Sequence, residues 1–344
     1  MKRIRPETST FYSFLSKRLS ILKKIFFAAI VFTLFISCNK DEPNNPDMDF
    51  RQAMREFVIG ISGYAKGIKP GFMIIPQNGI ELVSVNGEEN GLPHIPYLSS
   101  IDGIGQEDLL YGYNNDDQAT PTIEKNYLRA FLDIAKEEGK TILVTDYVST
   151  HGKVDDSYVQ NNMAGYISFA APERELTVIP AYPNPLYHEN NNMLFSLNGV
   201  SNFLYLINTE QYPSKIDFIH AVTATNYDLL IMDLFFDGSS SFTIDEINQL
   251  KNKANGGKRL VVSYLSIGEA EDYRYYWQPA WSAQKPTWMD EENPAWQGNY
   301  KVNYWNTEWQ SIIFGNDNSY LKKIVDAGFD GIYLDIIDAF EYYE

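Results

Sequence analysis

Carboxylates recur in this sequence at one position of a repeated unit. Asp335 ends the apolar run GIYL, Asp233 ends YDLLIM, and Asp146 stands near the end of TILVTDY. Glu81, Asp102 and Glu269 follow or close three further apolar stretches. Short runs of this kind are typical of parallel strands buried on both faces. The carboxyl ends of such strands are where α/β proteins build active sites. Two of these carboxyls, one protonated and one ionised, would meet the requirement for cleaving a glycosidic bond. A lone carboxylate could equally be a helix cap or a loop charge, but six at one position of a repeat are harder to dismiss. The stretch from Glu269 to Trp305 holds five of the six tryptophans. With Tyr273, Tyr275 and Tyr276 it offers faces for sugar C–H groups to stack on; the alternative is ordinary packing of a long insertion.

Other chemistries find little support. The four histidines lie far apart, Cys38 is the only cysteine, and no HExxH, P-loop or GxGxxG occurs. Neither a metal nor a nucleotide cofactor is expected. The chain carries 28 Lys and Arg against 45 Asp and Glu, a formal net charge of −17. Seven of those bases and one acid fall within residues 1–37, so the remainder carries −23. Such acidity argues against nucleic acid and favours neutral or cationic partners, although solubility alone also selects for it. A monomer is expected.

The elements that would position the carboxylates follow in order. Strands are predicted at 71–76, 97–102, 141–147, 165–172, 203–209, 227–235, 259–268 and 330–335. Helices are predicted at 50–66, 122–138, 155–163, 215–225, 242–255 and 309–327, the last interrupted near Gly315. Eight buried strands alternating with helical stretches imply a (β/α)8 TIM barrel over residues 50–344. Ahead of it, Lys17, Arg18, Lys23 and Lys24 precede an apolar run from Ile25 to Ile36. That run reads as a secretory signal over residues 1–37, too short to span a bilayer of about 20 residues. FISC at its end resembles a bacterial lipoprotein signal, which would make Cys38 a lipidated membrane anchor on the outer membrane or cell surface. Residues 38–49, polar and proline-bearing, read as a flexible tether.

Longer strings carry a family resemblance. LIMDLF, YLSIGEAEDYRYYW, ENPAWQGNYKVNYW, AGFDGIYLDIIDAFEYYE, IIPQNGIEL, SSIDGIGQEDLLYGY and ILVTDYV are similar to segments of glycoside hydrolase family 114, which includes endo-α-1,4-polygalactosaminidases on a TIM barrel. The segments stand here in a different order, so the resemblance implies a circular permutation, with helix 50–66 closing the ring between the last and first strands. It implies Asp335 as nucleophile or stabilising carboxylate and Glu81 as general acid/base. Substrate contacts would be Asp102, Asp146, Asp233, Tyr264, Glu269 and Glu271. The function implied is a surface-anchored glycosidase acting on an α-linked, galactosamine-containing polysaccharide. The alternative is a non-catalytic glycan-binding lipoprotein on the same barrel.

Overall fold

A computed structural model of the chain describes residues 48–344; the expected signal segment, Cys38 and all but the last two residues of the tether lie outside the described residues. Helix α1 (Phe50–Ile68) forms where expected, because Met54, Phe57, Val58, Ile61 and Ala65 recur along one face and are buried. It is followed by β1 (Met73–Pro76), α2 (Ile95–Ser100), β2 (Gly103–Glu107), α3 (Thr122–Glu137), β3 (Thr141–Tyr147), α4 (His151–Ala164) and β4 (Ile167–Ala171). After a long irregular stretch come β5 (Phe203–Tyr205), α5 (Lys215–Thr223), β6 (Leu229–Met232), α6 (Ile244–Leu250) and β7 (Leu260–Ser266). The aromatic segment contains β8 (Glu269–Glu271), β9 (Met289–Glu292) and β10 (Asn299–Val302); α7 (Thr307–Ile313), α8 (Tyr320–Asp326) and β11 (Gly331–Asp335) end the chain. Among the described residues, no helix is long and apolar enough to cross a membrane.

The architecture is α/β with parallel sheets. Five strands run in the order β1-β11-β7-β6-β5 and three in the order β2-β3-β4, all parallel. A parallel bridge between Gln77 and Gly105 joins β1 to β2, the edges of the two sheets. The five-stranded sheet is strongly curled: the Tyr205 hydroxyl on β5 donates to Gln77 Oε1, just past β1, at 3.0 Å, although these strands are its two edges. The insertion forms an antiparallel sheet of its own, β8-β10-β9.

Several expected boundaries move. Residues 203–209 form a strand only as far as Tyr205. The interruption expected near Gly315 is present: α7 and α8 are separate helices, with Gly315 at φ 97° between them. The largest change is at the expected strand 97–102, which is mostly helix α2; the strand is the following GIGQE. This run is poor in β-branched residues, and its glycines answer to their surroundings. A Cβ on Gly105 would lie 1.9 Å from the Tyr333 hydroxyl oxygen, and one on Gly103 would lie 2.8 Å from the Thr141 carbonyl oxygen. Gly105→Ala is therefore expected to cost about 1–3 kcal/mol through overpacking, read as a lower thermal midpoint. Adding Tyr333→Phe, which removes the oxygen but leaves ring carbons Cζ and Cε2 at 2.5 and 2.8 Å, should recover little of that loss.

Candidate active site

The site is built where β1 lies between β11 and β2. The backbone N–H of Gln77 donates to Leu334 O at 2.8 Å, and that of Asn78 to Gly105 O at 2.9 Å. The residue just past β1 is thereby fixed between the carboxyl ends of its two neighbours. Asp335 ends one of them and Glu107 the other. The buried Gln77 side chain reaches both: Nε2 donates to Glu107 Oε2 at 2.8 Å and to Asp335 Oδ1 at 3.2 Å. With the near-120° angle between the two N–H bonds of an amide, those oxygens stand about 5 Å apart. The remaining lone pairs are also addressed. Tyr264 donates to Asp335 Oδ2 at 2.7 Å, Asn78 Nδ2 to Glu107 Oε2 at 2.9 Å, and the Tyr147 hydroxyl to Glu107 Oε1.

Two carboxyls this close cannot both ionise easily. Burial first, and then the charge of Glu107, push the Asp335 carboxyl up to about 7. Burial likewise holds the Tyr147, Tyr205 and Tyr264 phenols well above their usual range, so they stay protonated as donors. The backbone is strained at the same rim. Asn78, Asp108 and Ile336, each one or two residues past β1, β2 or β11, have φ of 59°, 59° and 58°. For the β-branched Ile336 this is a true outlier, and such residues cluster at functional sites. Beside Glu107, Asp108 is paired with Arg174 at 2.8 Å, yet burial still pushes it up to about 7. The Arg174 guanidinium in turn lies over the Tyr147 ring at 4.1 Å.

The residues singled out from sequence fall into three groups. Asp335 and Tyr264 come together at the site, as described. Glu81 lies in a short 3₁₀ turn (Ile80–Val83) and accepts from the Tyr127 hydroxyl at 2.7 Å. Among the described residues it shares no hydrogen-bond partner with Asp335, but its charge and that of Asp335 both raise Asp338, so it borders the same rim.

The other carboxylates expected as substrate contacts are engaged within the fold. Asp102 precedes β2, at the amino end of the strand rather than the rim; it accepts from Ile74 N at 2.9 Å and pairs with Lys66 at 2.9 Å. Asp146 is fully buried, with four donors on its two oxygens: Leu110 N, Tyr111 N, Ser157 Oγ and Asn161 Nδ2. Successive strand residues face opposite ways, so Asp146 points to α4 while Tyr147 points to Glu107. Asp233 and Glu271 are both bound to the buried Arg274, each at 2.6 Å. Glu269 accepts from Asn293 at 2.7 Å and from Asn299 and Tyr342 at 3.3 Å each. These groups shape the rim. The aromatic segment mostly packs on itself: Trp288 is buried against Trp281 and Trp309, and the half-buried Trp277 packs against Trp281 and Tyr300. Tyr273, Tyr275 and Trp296 remain exposed.

The sequence reasoning missed Glu107 and Gln77. Glu107 sits directly in GIGQE, hidden because the strand was placed one segment too early. Gln77 immediately follows the correctly placed β1, but an amide carries no charge to draw attention.

Comparison with known proteins yields partial matches. An uncharacterized protein of Methanocaldococcus jannaschii, MJ1477, is 38% identical over 160 residues, 43% of this chain and 44% of that protein. Uncharacterized proteins of Thermotoga maritima and Deinococcus radiodurans are 43% identical over 122 residues and 35% over 126. The Thermotoga match covers 36% of each chain, and the Deinococcus match covers 37% of this chain and 38% of the other. The chain thus spans less than half the length of the curated relatives it matches. The family model for glycoside-hydrolase family GH114 matches residues 210–343. This segment contains Tyr264 and Asp335, whereas Gln77 and Glu107 lie outside it. Residues 210–343 are thus similar to glycoside-hydrolase family GH114.

Proposed function

We propose that this protein is a glycoside hydrolase that cleaves an α-linked, galactosamine-containing polysaccharide with Asp335 and Glu107 as its working carboxyls. One observation carries this: a single amide nitrogen, Gln77 Nε2, lies within hydrogen-bond distance of both. Glu81, without such a link, is not the second carboxyl in this proposal. Asp335, pushed up to about 7, suits the general acid. Glu107, with donors on both oxygens, suits the nucleophile. Glu107 would attack the anomeric carbon while Asp335 gives its proton to the departing glycosidic oxygen. Asp335 would then take a proton from water, whose oxygen attacks the same carbon and releases Glu107. Carboxyls about 5–5.5 Å apart go with this two-step, retaining course, and about 6.5–9.5 Å with inversion.

The proposal includes the setting. The two parallel sheets are taken as the wall of one (β/α)8 barrel, which the Gln77–Gly105 bridge and the Tyr205–Gln77 hydrogen bond support. Closure of the ring is supported by the pairing of β11 with β1, and circular permutation by the order in which the family-like segments follow one another along the chain. The acidity of the chain favours protonated amino sugars through charge-assisted hydrogen bonds. Export and anchoring through a lipidated Cys38 complete the proposal.

The test is incubation with α-linked glycans, among them a de-N-acetylated galactosamine polymer. Reducing ends should appear, and proton NMR should show the α anomer first. Tight binding without a single bond cut would replace the hydrolase with the non-catalytic glycan-binding protein.

A further inference from the structure

Among the described residues, Gln77 is the side chain that hydrogen-bonds both carboxyls, and its own orientation is decided. Its oxygen accepts from Tyr205, a buried phenol that remains a donor. Its backbone is held by β11 on one side and β2 on the other. A flipped amide would aim a carbonyl oxygen at two carboxylates and turn an NH2 toward the Tyr205 hydroxyl, losing three favourable contacts at once. The NH2 group therefore faces the pair, one hydrogen toward each carboxyl.

This has a consequence for proton placement. An oxygen that accepts from an amide N–H at 2.8 or 3.2 Å cannot also present a proton along that line. At about 5 Å the two facing oxygens are too far apart to share one proton between them. The amide donor between them favours the bare form of each.

We propose that Gln77 is a positioning residue that keeps the facing oxygens of Asp335 and Glu107 bare, so that the proton carried by the pair sits on an outer oxygen. On Asp335 that is Oδ2, where the Tyr264 hydroxyl can rotate to accept it. On Glu107, Oε1 receives the Tyr147 hydroxyl. Gln77 thus disfavours a proton on either facing oxygen and leaves the acid's proton on the side away from its partner. Tyr205 acts through Gln77 by fixing the amide. This inference rests on Asp335 and Glu107 being the working pair.

Other groups face the pair and enter its titration. They are the Tyr147, Tyr205, Tyr264 and Tyr333 phenols on β3, β5, β7 and β11, and the carboxyls Glu269 on β8 and Asp338 after β11. Asp108, paired with Arg174, adjoins Glu107. Of these, Tyr205 bonds Gln77 directly and loses its acceptor when that amide is removed, an effect that Tyr205→Phe measures separately.

The experiment is a titration of the full chain by 13C NMR of labelled Asp and Glu carboxyls, assigned with Asp335→Asn and Glu107→Gln. Gln77→Met keeps the volume and removes the donor. The facing oxygens then lose the N–H donor that favours their bare form, so loss of the last proton should move to higher pH by about one unit or more. Tyr205→Phe should move it the same way by less, and decides the question if Gln77→Met fails to fold. On substrate, kcat should fall about tenfold to a hundredfold with KM within about threefold, and the alkaline limb of the pH profile should follow the NMR shift. A folded Gln77→Met protein, or failing that Tyr205→Phe, whose pair titrates like wild type overturns the proposal. Absence of turnover in the wild type would instead sink the hydrolase assignment, because the NMR titration needs no substrate.

Discussion

Asp335→Asn and Glu107→Gln are each expected to lower kcat/KM by about a hundredfold to ten-thousandfold, the span that general acid–base groups command. Glu81→Gln should cost less than about tenfold. The contrast follows from the partners: Asp335 and Glu107 meet on Gln77, whereas Glu81 is bound to Tyr127. The two large effects should also differ in kind. Asp335 as acid protonates the leaving oxygen, so Asp335→Asn should be largely rescued on aryl glycosides whose leaving group needs no proton. A Glu107→Ala variant should show no such selectivity, but azide entering the vacated space should restore turnover and give a glycosyl azide. The pH dependence has a definite sign. Asp335 must be protonated to work and is pushed up to about 7, so kcat/KM falls as the pH rises through that value. Steady-state rates over the pH range on natural and aryl substrates check all of this. Equal losses in all three variants would remove the reason for preferring Glu107.

The alternation of strands and helices was legible in the chain because buried parallel strands leave apolar runs that little else mimics, as in LLIM and LVVSYLS. Asp335 was legible for the same reason, since a carboxylate closing such a run has to be partnered or exposed. Failures came where side-chain size or direction decided. Strand β2 contains two glycines because Tyr333 and the β3 backbone fill the space where side chains would be. Its Glu107 was passed over in favour of Asp102, which lies at the opposite end of the strand. Asp146 and Tyr147 show the other limit. Both stand at the end of β3, but the pleat sends one into the helix layer and the other into the site, and a shift of one residue exchanges their roles. The carboxylates Asp233, Glu269 and Glu271 could not be told from substrate contacts by position, because their partners Arg274, Asn293 and Asn299 arrive from the insertion.

The second large effect concerns stability, at the other end of the strands. Asp228 and Lys253 form an ion pair at 2.5 Å with both side chains fully buried. Asp228 Oδ2 also accepts from Asn190 Nδ2 at 2.8 Å and Ser201 N at 2.9 Å, which ties the irregular stretch before β5 to the start of β6. Lys253→Met removes the counter-charge while the carboxylate stays enclosed. Breaking such a pair on one side costs about 3–5 kcal/mol. At about 2–4 °C per kcal/mol, the thermal midpoint should fall by roughly 10 °C. The double variant Asp228→Leu with Lys253→Met should recover at most part of that loss, because Asp228 is also the charge that faces the buried Arg259 guanidinium. Calorimetry on the single and double variants gives the coupling directly. Since the pair stands at the amino ends of β6 and β7, away from Asp335, turnover per folded molecule should stay that of the wild type. A Lys253→Met midpoint within about 2 °C of wild type would mean that the Asn190 and Ser201 donors alone suffice to hold the buried carboxylate.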